Sequence, residues 1–232
     1  MIEEPPKLTI KKTRRRPTPE QIAAFQHVPT GYVVDAMDGI GAMHSKIRPL
    51  GESRDLSCKV AGPALTVNTG PGDILALLAS LDCIHAGDVV VSSFRDFQGC
   101  AACGDRVAGM LRNNGAAGLV VDGPVRDYVG LVEVGLPLWC TGINPNSPVS
   151  QGPGVVGMAI QLGGVEVDSG DMIVADHDGV VVVPFEQLDA VVSRLQRIRE
   201  LEHVLDQEVN DGLKMPQGIR ELLDSDQTRF VD

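Results

Sequence analysis

Aromatic side chains are scarce in this chain: one Trp, two Tyr and five Phe make up 3% of 232 residues. An interior with so few rings must be filled by Val, Ala, Leu and Gly, and the 26 glycines let loops and chain crossings pack closely. Positive charge is also short. Lys and Arg number 20 against 31 Asp and Glu, a formal net charge of −11, which disfavours non-specific attraction to nucleic-acid phosphates or anionic lipid. No nucleic-acid or membrane partner is expected, and an anionic substrate must be captured by a local cluster of donors. No apolar run reaches membrane-spanning length. No charged-then-apolar leader opens the sequence, and Arg14-Arg15-Arg16 is followed by Pro17, Thr18 and Pro19, so an export signal is not expected. The five cysteines are an odd number in a chain far above disulfide-scaffold size, which fits reduced thiols in a cytoplasmic protein.

An apolar content of 43% is enough for a real core. The organisation expected is a flexible, solvated basic arm over residues 1–19, a single α/β domain over 20–209 that includes a long C-terminal helix, and a polar extension over 210–232. Thr18 before Pro19 and Glu20 caps a first helix, and Thr30 reads as a second cap before Tyr32 to Met37. Ile74 to Leu81 reads as a helix and Val89 to Ser92 as a strand. Val155 to Leu162, Val165 to Val167, Met172 to Ala175 and Val180 to Val183 read as strands, with His177-Asp178-Gly179 as the turn between the last two. From Phe185 the apolar positions Leu188, Val191, Val192, Leu195, Ile198, Leu201 and Leu205 recur every three or four residues, the pattern of a long amphipathic helix.

The chemistry concentrates between Gly104 and Asp127. Gly104 opens a helix in which Asp105 complements the unpaired amides of the first turn, and the run from Arg106 ends at Asn114-Gly115. Gly118 to Val121 is then a buried strand of a parallel sheet, and Asp122 to Asp127 lies beyond its carboxyl end, where open α/β sheets gather ligands. Arg126 and Asp127 are therefore loop residues on the ligand side. Arg126 presents a planar fork of donors suited to the 2-oxo and carboxylate oxygens of a pyruvate-like group. Asp127 suits a hard cation such as Mg²⁺, which usually takes one or two protein oxygens and keeps several waters. An arginine–aspartate pair in a structural turn and a simple helix cap at Asp105 are the bland alternatives. Cys100-Ala101-Ala102-Cys103 and Asp176-His177-Asp178 read as loop and hairpin residues rather than metal clusters, since the second ligand pair that zinc requires is absent.

An Asp followed by twenty residues and then Arg-Asp, here Asp105, Arg126 and Asp127, resembles the RraA-like family, which includes the class II 4-hydroxy-4-methyl-2-oxoglutarate and 4-carboxy-4-hydroxy-2-oxoadipate aldolases. Val60 to Ala64, Pro71-Gly72-Asp73, Ala86 to Val91, Gly115 to Gly118, and Gly170 to Asp176 through Pro184 are similar to it as well, so the likeness spans Thr30 to Gly212. The resemblance implies an α/β/β swivelling-domain fold assembled as a trimer or a pair of trimers. It also implies a divalent-metal-dependent lyase, with Mg²⁺ or Mn²⁺, that cleaves a 4-hydroxy-2-oxo acid by retro-aldol reaction to give pyruvate and can decarboxylate oxaloacetate. Arg126 would contact the pyruvate moiety and Asp127 the metal, and Asp105 would act through a metal-bound water. The first-turn amides after Gly104, those of Arg106 and Val107, would cradle the carboxylate, and Glu202, with Glu200 its near rival, would come from an adjacent subunit. No lysine lies between Gly104 and Asp127, which argues against a Schiff-base mechanism. The same scaffold also serves a non-catalytic ribonuclease regulator, which leaves a protein partner as the alternative. Ile74 and Leu78 stand where many of the aldolases carry Asn and His, and the insert Ser93 to Ala102 departs from the family's Gly-rich run.

Overall fold

The computed structural model describes residues 6–232, so the first five residues of the expected arm lie outside the described residues. The chain begins with strand β1 (Leu8–Ile10), helices α1 (Pro19–Phe25) and α2 (Thr30–Ala36) and a short strand β2 (Arg48–Pro49). Strand β3 (Val60–Asn68) leads through α3 (Leu75–Ala79) to β4 (Val89–Ser93), α4 (Asp105–Asn113), β5 (Gly118–Val121), α5 (Tyr128–Val134) and β6 (Leu138–Cys140). Five strands follow: β7 (Gly154–Val156), β8 (Ile160–Leu162), β9 (Val165–Val167), β10 (Met172–Ala175) and β11 (Val180–Val183). The long helix α6 (Leu188–Asn210) and a last helix α7 (Gln217–Leu223) complete the chain.

Strands β3, β4, β5 and β6 lie side by side and parallel. Every residue of β4 and β5 is buried, which is why neither alternates apolar with polar residues. Strand β3 is shared between two arrangements: Ala64 to Asn68 pairs with β4, and Val60 to Pro63 pairs antiparallel with β10. The β10–β11 ribbon that continues from it separates two apolar cores. Ile173, Ala175, Val180 and Val182 face the main core, while Met172, Val174, Val181 and Val183 face a second core closed by α1, α2 and the first half of α6. The period-2 geometry of a strand sends neighbouring side chains to opposite faces, so an all-apolar ribbon is what two cores require.

The N-terminus of α1 is closed by a capping box: Gln21 N–H donates to Thr18 Oγ1 at 3.2 Å and Thr18 N–H to Gln21 Oε1 at 2.9 Å. Thr30 is not a cap. It is the first residue of α2, and its N–H and Oγ1 both donate to the Asp176 carboxylate, at 2.9 and 2.8 Å. Asp176, at the β10–β11 turn, thus supplies the cap from far along the chain. The strand expected over Val155 to Leu162 is broken between β7 and β8, where Gly157 has φ of 85° and its N–H turns to Thr66 O.

The basic arm, expected to be solvated, is docked over its described part. Strand β1 pairs in parallel with β7. Arg14 and Arg16 both bind the Asp88 carboxylate, Arg16 Nη1 at 2.7 Å, and the Asp88 side chain is 0% exposed. A buried carboxylate at the entrance to β4 is costly without countercharge, and the arginines supply it. The extension beyond residue 210, read from sequence as polar chain, contains α7. Among the described residues no helix is long and apolar enough to cross a membrane.

Candidate functional site

Beyond the carboxyl ends of β4 and β5, two loops meet. The loop after β4 is fixed by Asp122, the residue that follows β5: its carboxylate accepts the N–H of Phe94 and that of Asp96, the latter at 3.2 Å. Burial raises the Asp122 pKa above the usual carboxylate value, against the pull of those two N–H donors. Further along, Ala102 N–H donates to Pro124 O and Arg126 N–H to Cys103 O, at 2.7 and 2.9 Å. These backbone bonds bring Gly104 and Asp105 alongside Arg126 and Asp127.

The result is a cleft of about 390 Å³ lined by Gly104, Asp105, Arg106, Val107, Arg126 and Asp127, with Ile74, Ala101, Cys103 and Pro148 completing its wall. Asp127 has left-handed backbone geometry, φ 62°, and stands at the N-cap position of α5 with its carboxylate making no capping hydrogen bond. Asp tolerates that region better than most residues, and such positions concentrate at functional sites. The Arg126 guanidinium is held on two sides: Nη1 donates to Ser147 Oγ at 2.7 Å, and Nε lies 3.4 Å from Asp127 Oδ2. Two glycines make room for the carboxylates. A Cβ on Gly104 would sit 2.6 Å from Asp127 Oδ2, and one on Gly130 would sit 2.6 Å from Asp105 Oδ2.

The first turn of α4 differs from expectation in one respect. The Arg106 N–H donates to Asp105 Oδ1 at 2.6 Å, so it is already engaged. The Val107 N–H has no acceptor among the described residues and is the amide open to an anion. Glu202 is not in the cleft of its own chain. It lies on α6 near Tyr32, whose hydroxyl pKa is raised by burial and by the Glu202 and Asp206 charges. Glu200 is exposed on the same helix.

Cys100 and Cys103 are free thiols, both buried, and burial pushes Cys103 up to about 12. A thiol held that high stays protonated at neutral pH, which makes it a poor nucleophile. Among the described residues no three His, Cys, Asp or Glu side chains form a metal-binding group. Ser147 and Pro148 were not singled out from sequence, since they sit in an irregular segment whose only signal is its richness in loop-forming residues. That segment is anchored by Asn144 Nδ2 to Gln98 O at 2.8 Å and Asn146 Nδ2 to Gly99 O at 3.0 Å.

A second cavity, of about 400 Å³, is lined by Tyr128, Lys46, Arg48 and Arg54 among others. Its charges are largely spent internally. Lys46 pairs with Asp96 at 2.6 Å, Arg54 pairs with Glu52, and the Tyr128 hydroxyl donates to Asp55 at 2.7 Å, which raises its pKa. The cleft at Arg126 is the better candidate for chemistry, because one carboxylate, that of Asp127, lies against the guanidinium and leaves further donors of it open.

The RraA-like family model, described as Aldolase/RraA, matches residues 30–182. A Halalkalibacterium halodurans protein, named provisionally as a 4-hydroxy-4-methyl-2-oxoglutarate aldolase, is 34% identical over 83% of this chain and 90% of its own. Among solved structures, Streptomyces coelicolor RraAS2, described as an unusual member of the RNase ES inhibitor RraA family, is 31% identical with a TM-score of 0.71, covering 83% of this chain and 100% of its own. The RNA-processing inhibitor RraA of Thermus is 26% identical with a TM-score of 0.62, over 68% of this chain and 94% of its own. With its mixed α/β fold and long C-terminal helix, the chain belongs to the RraA-like family.

Proposed function

We propose that the protein is a divalent-metal-dependent lyase that cleaves a 4-hydroxy-2-oxo acid to pyruvate and a second carbonyl compound, and that it also decarboxylates oxaloacetate. The observation that carries this reading is the Arg126–Asp127 pair, pinned by Ser147 and by the room that Gly104 leaves, at the end of a parallel strand and beside the free Val107 amide. The aldolase name of a relative at 34% identity supports it.

The donor set fits a hard cation. Asp127 and Asp105 offer carboxylate oxygens, and one or two such ligands with water completing the shell is the usual arrangement for Mg²⁺, or for Mn²⁺ in its place. Soft or borderline metals would need more nitrogen or sulfur ligands than the cleft provides. When bound, the cation would supply Lewis-acid polarisation of the 2-oxo group. Arg126 binds the carboxylate and 2-oxo oxygens in bidentate fashion and holds the negative charge that grows there as the C3–C4 bond breaks. The Val107 amide, at the positive end of α4, binds the remaining carboxylate oxygen. Asp105 orients water at the cation side of the cleft.

Removal of the 4-hydroxyl proton needs a base, and we assign Glu202 of a neighbouring copy to the site. This requires an oligomer, and the family resemblance implies a homotrimer or a pair of trimers. The outer half of α6 supports such an assembly, since Leu201, Val204, Leu205 and Val209 are 42–59% exposed there with no described residue covering them. Five free cysteines are consistent with a cytoplasmic location.

The likeness to RraAS2 over the whole of that chain favours a second reading, a regulator that binds a ribonuclease or another protein. Pyruvate release from 4-hydroxy-4-methyl-2-oxoglutarate and from oxaloacetate, read through lactate dehydrogenase, separates the two. Release that disappears in Arg126→Ala supports the lyase; no release from either compound at high protein concentration favours the regulator.

A further inference from the structure

We infer that the Arg106 side chain determines which substrates the cleft takes, by binding a second anionic group at the end of the substrate remote from Arg126. The inference rests on the reading of the cleft as a 2-oxo acid site. Arg106 stands outside the Asp105, Arg126, Asp127 motif, and its only role so far has been its backbone N–H.

The two arginines of the cleft are in different situations. Arg126 is held in place, with Nη1 on Ser147 and Nε beside Asp127. Arg106 lines the same cleft from the first turn of α4 and is exposed, and its guanidinium makes no hydrogen bond or ion pair to another described residue. A cation at a helix N-terminus is on the unfavourable end of the helix dipole. It therefore adds nothing to the stability of α4, and an anion delivered to that spot gains from the guanidinium and the helix end together.

Charge balance points the same way. Asp105 and Asp127 offset Arg106 and Arg126, so a divalent cation would leave the cleft doubly positive, and a dianion neutralises it. The wall made by Ile74, Ala101 and Pro148 offers only apolar side chains. That wall offers no charged or hydrogen-bonding side chain to a carboxylate, so a second carboxylate is left to Arg106. The ligand class is thus a short 2-oxo dicarboxylate: one end on Arg126, the carbon chain along Ile74 and Pro148, the distal carboxylate on Arg106.

Two five-carbon probes isolate the distal group, 2-oxoglutarate and 2-oxopentanoate, which share the 2-oxo carboxylate and differ in ending with a carboxylate or a methyl. Dissociation constants are measured by calorimetry on the full chain with Mg²⁺ present. The wild type should bind the dicarboxylate about 10-fold more tightly, the scale of one charge-assisted contact in a half-open site. In Arg106→Gln that preference should collapse to about 1, and Arg106→Lys should restore part of it. A preference that survives in Arg106→Gln, or equal binding of both probes by the wild type, overturns the inference and leaves the lyase reading intact. If neither probe binds the wild type, the 2-oxo acid site itself falls, and this inference with it.

Discussion

Gly104→Ala separates what the cleft needs for folding from what it needs for chemistry. Gly104 has φ of −130°, which alanine adopts freely, so the substitution meets no backbone strain. Two costs remain. Alanine is a poorer N-cap than glycine, worth about 1 kcal/mol. The new methyl would also sit 2.6 Å from Asp127 Oδ2 and 3.3 Å from Arg126 Cγ and Nε. The first contact is roughly 0.9 Å short of an ordinary van der Waals distance, and the side chain of Asp127 can relieve it by turning away. Relief by rotation is cheap in stability, so the total stays at about 1–2 kcal/mol, a fall of roughly 3–6 °C in Tm for a domain of this size. It is expensive in geometry, because a displacement near 1 Å at a reacting centre costs about 10²-fold in rate. Thermal unfolding followed by circular dichroism, with kcat for pyruvate release on the same samples, gives both numbers. An unchanged kcat would show that the position of the Asp127 carboxylate does not matter. A loss of activity that tracks the loss of folded protein would refute the separation.

Other consequences can be checked with single substitutions. Gly130→Ala should disturb Asp105 more harshly, because the added methyl meets Asp105 Cβ at 2.8 Å as well as Oδ2; a loss of activity with a stability cost of about 2 kcal/mol is expected from urea unfolding. Asp88→Ala strips the countercharge from Arg14, whose side chain is only 7% exposed. It should cost about 3 kcal/mol by urea unfolding and free the arm for proteolysis near Arg14 to Arg16. Arg126→Lys keeps the charge and loses the two-pronged geometry, and kcat/KM should fall at least about 10-fold. Cys103 is an acid whose folded pKa, about 12, lies above the unfolded value of about 8.5. The unfolded chain therefore loses this proton first, and stability should decline as pH rises from about 8.5 towards 12. The decline should be shallower in Cys103→Ala, and native protein at pH 8 should leave Cys103 unlabelled by a thiol reagent.

The parts of the fold legible in the sequence are those whose signals are local. Helix α4 is bounded by Gly104 and Asn114-Gly115, β5 is a buried apolar run, and α6 carries its own period. The resemblance supplied the larger arrangement. Strand β3 is harder to read, because Gly62 and Pro63 interrupt it. Both have structural reasons: a Cβ at 62 would come 2.3 Å from Gly87 O, and Pro63 sits where β3 changes partner from β10 to β4. Strand β6 is three residues defined by pairing with β5 and β2, and α5 starts from a left-handed Asp127, so neither has a pattern of its own. The docking of the arm depends on Asp88, more than seventy residues away along the chain. In the cleft, Asp105, Arg126 and Asp127 were visible through their spacing. Ser147 was not, because only the folded loop carries it to Arg126.

A divalent cation held at Asp127 would drive cleavage of the 2-oxo acid, so pyruvate release should follow the metal as it is removed and then restored. The expected result is release from the wild type that stops on chelation, returns with Mg²⁺ or Mn²⁺, and cannot be restored in Asp127→Asn. Release that persists through chelation, or an Asp127→Asn variant that responds to metal as the wild type does, would contradict it.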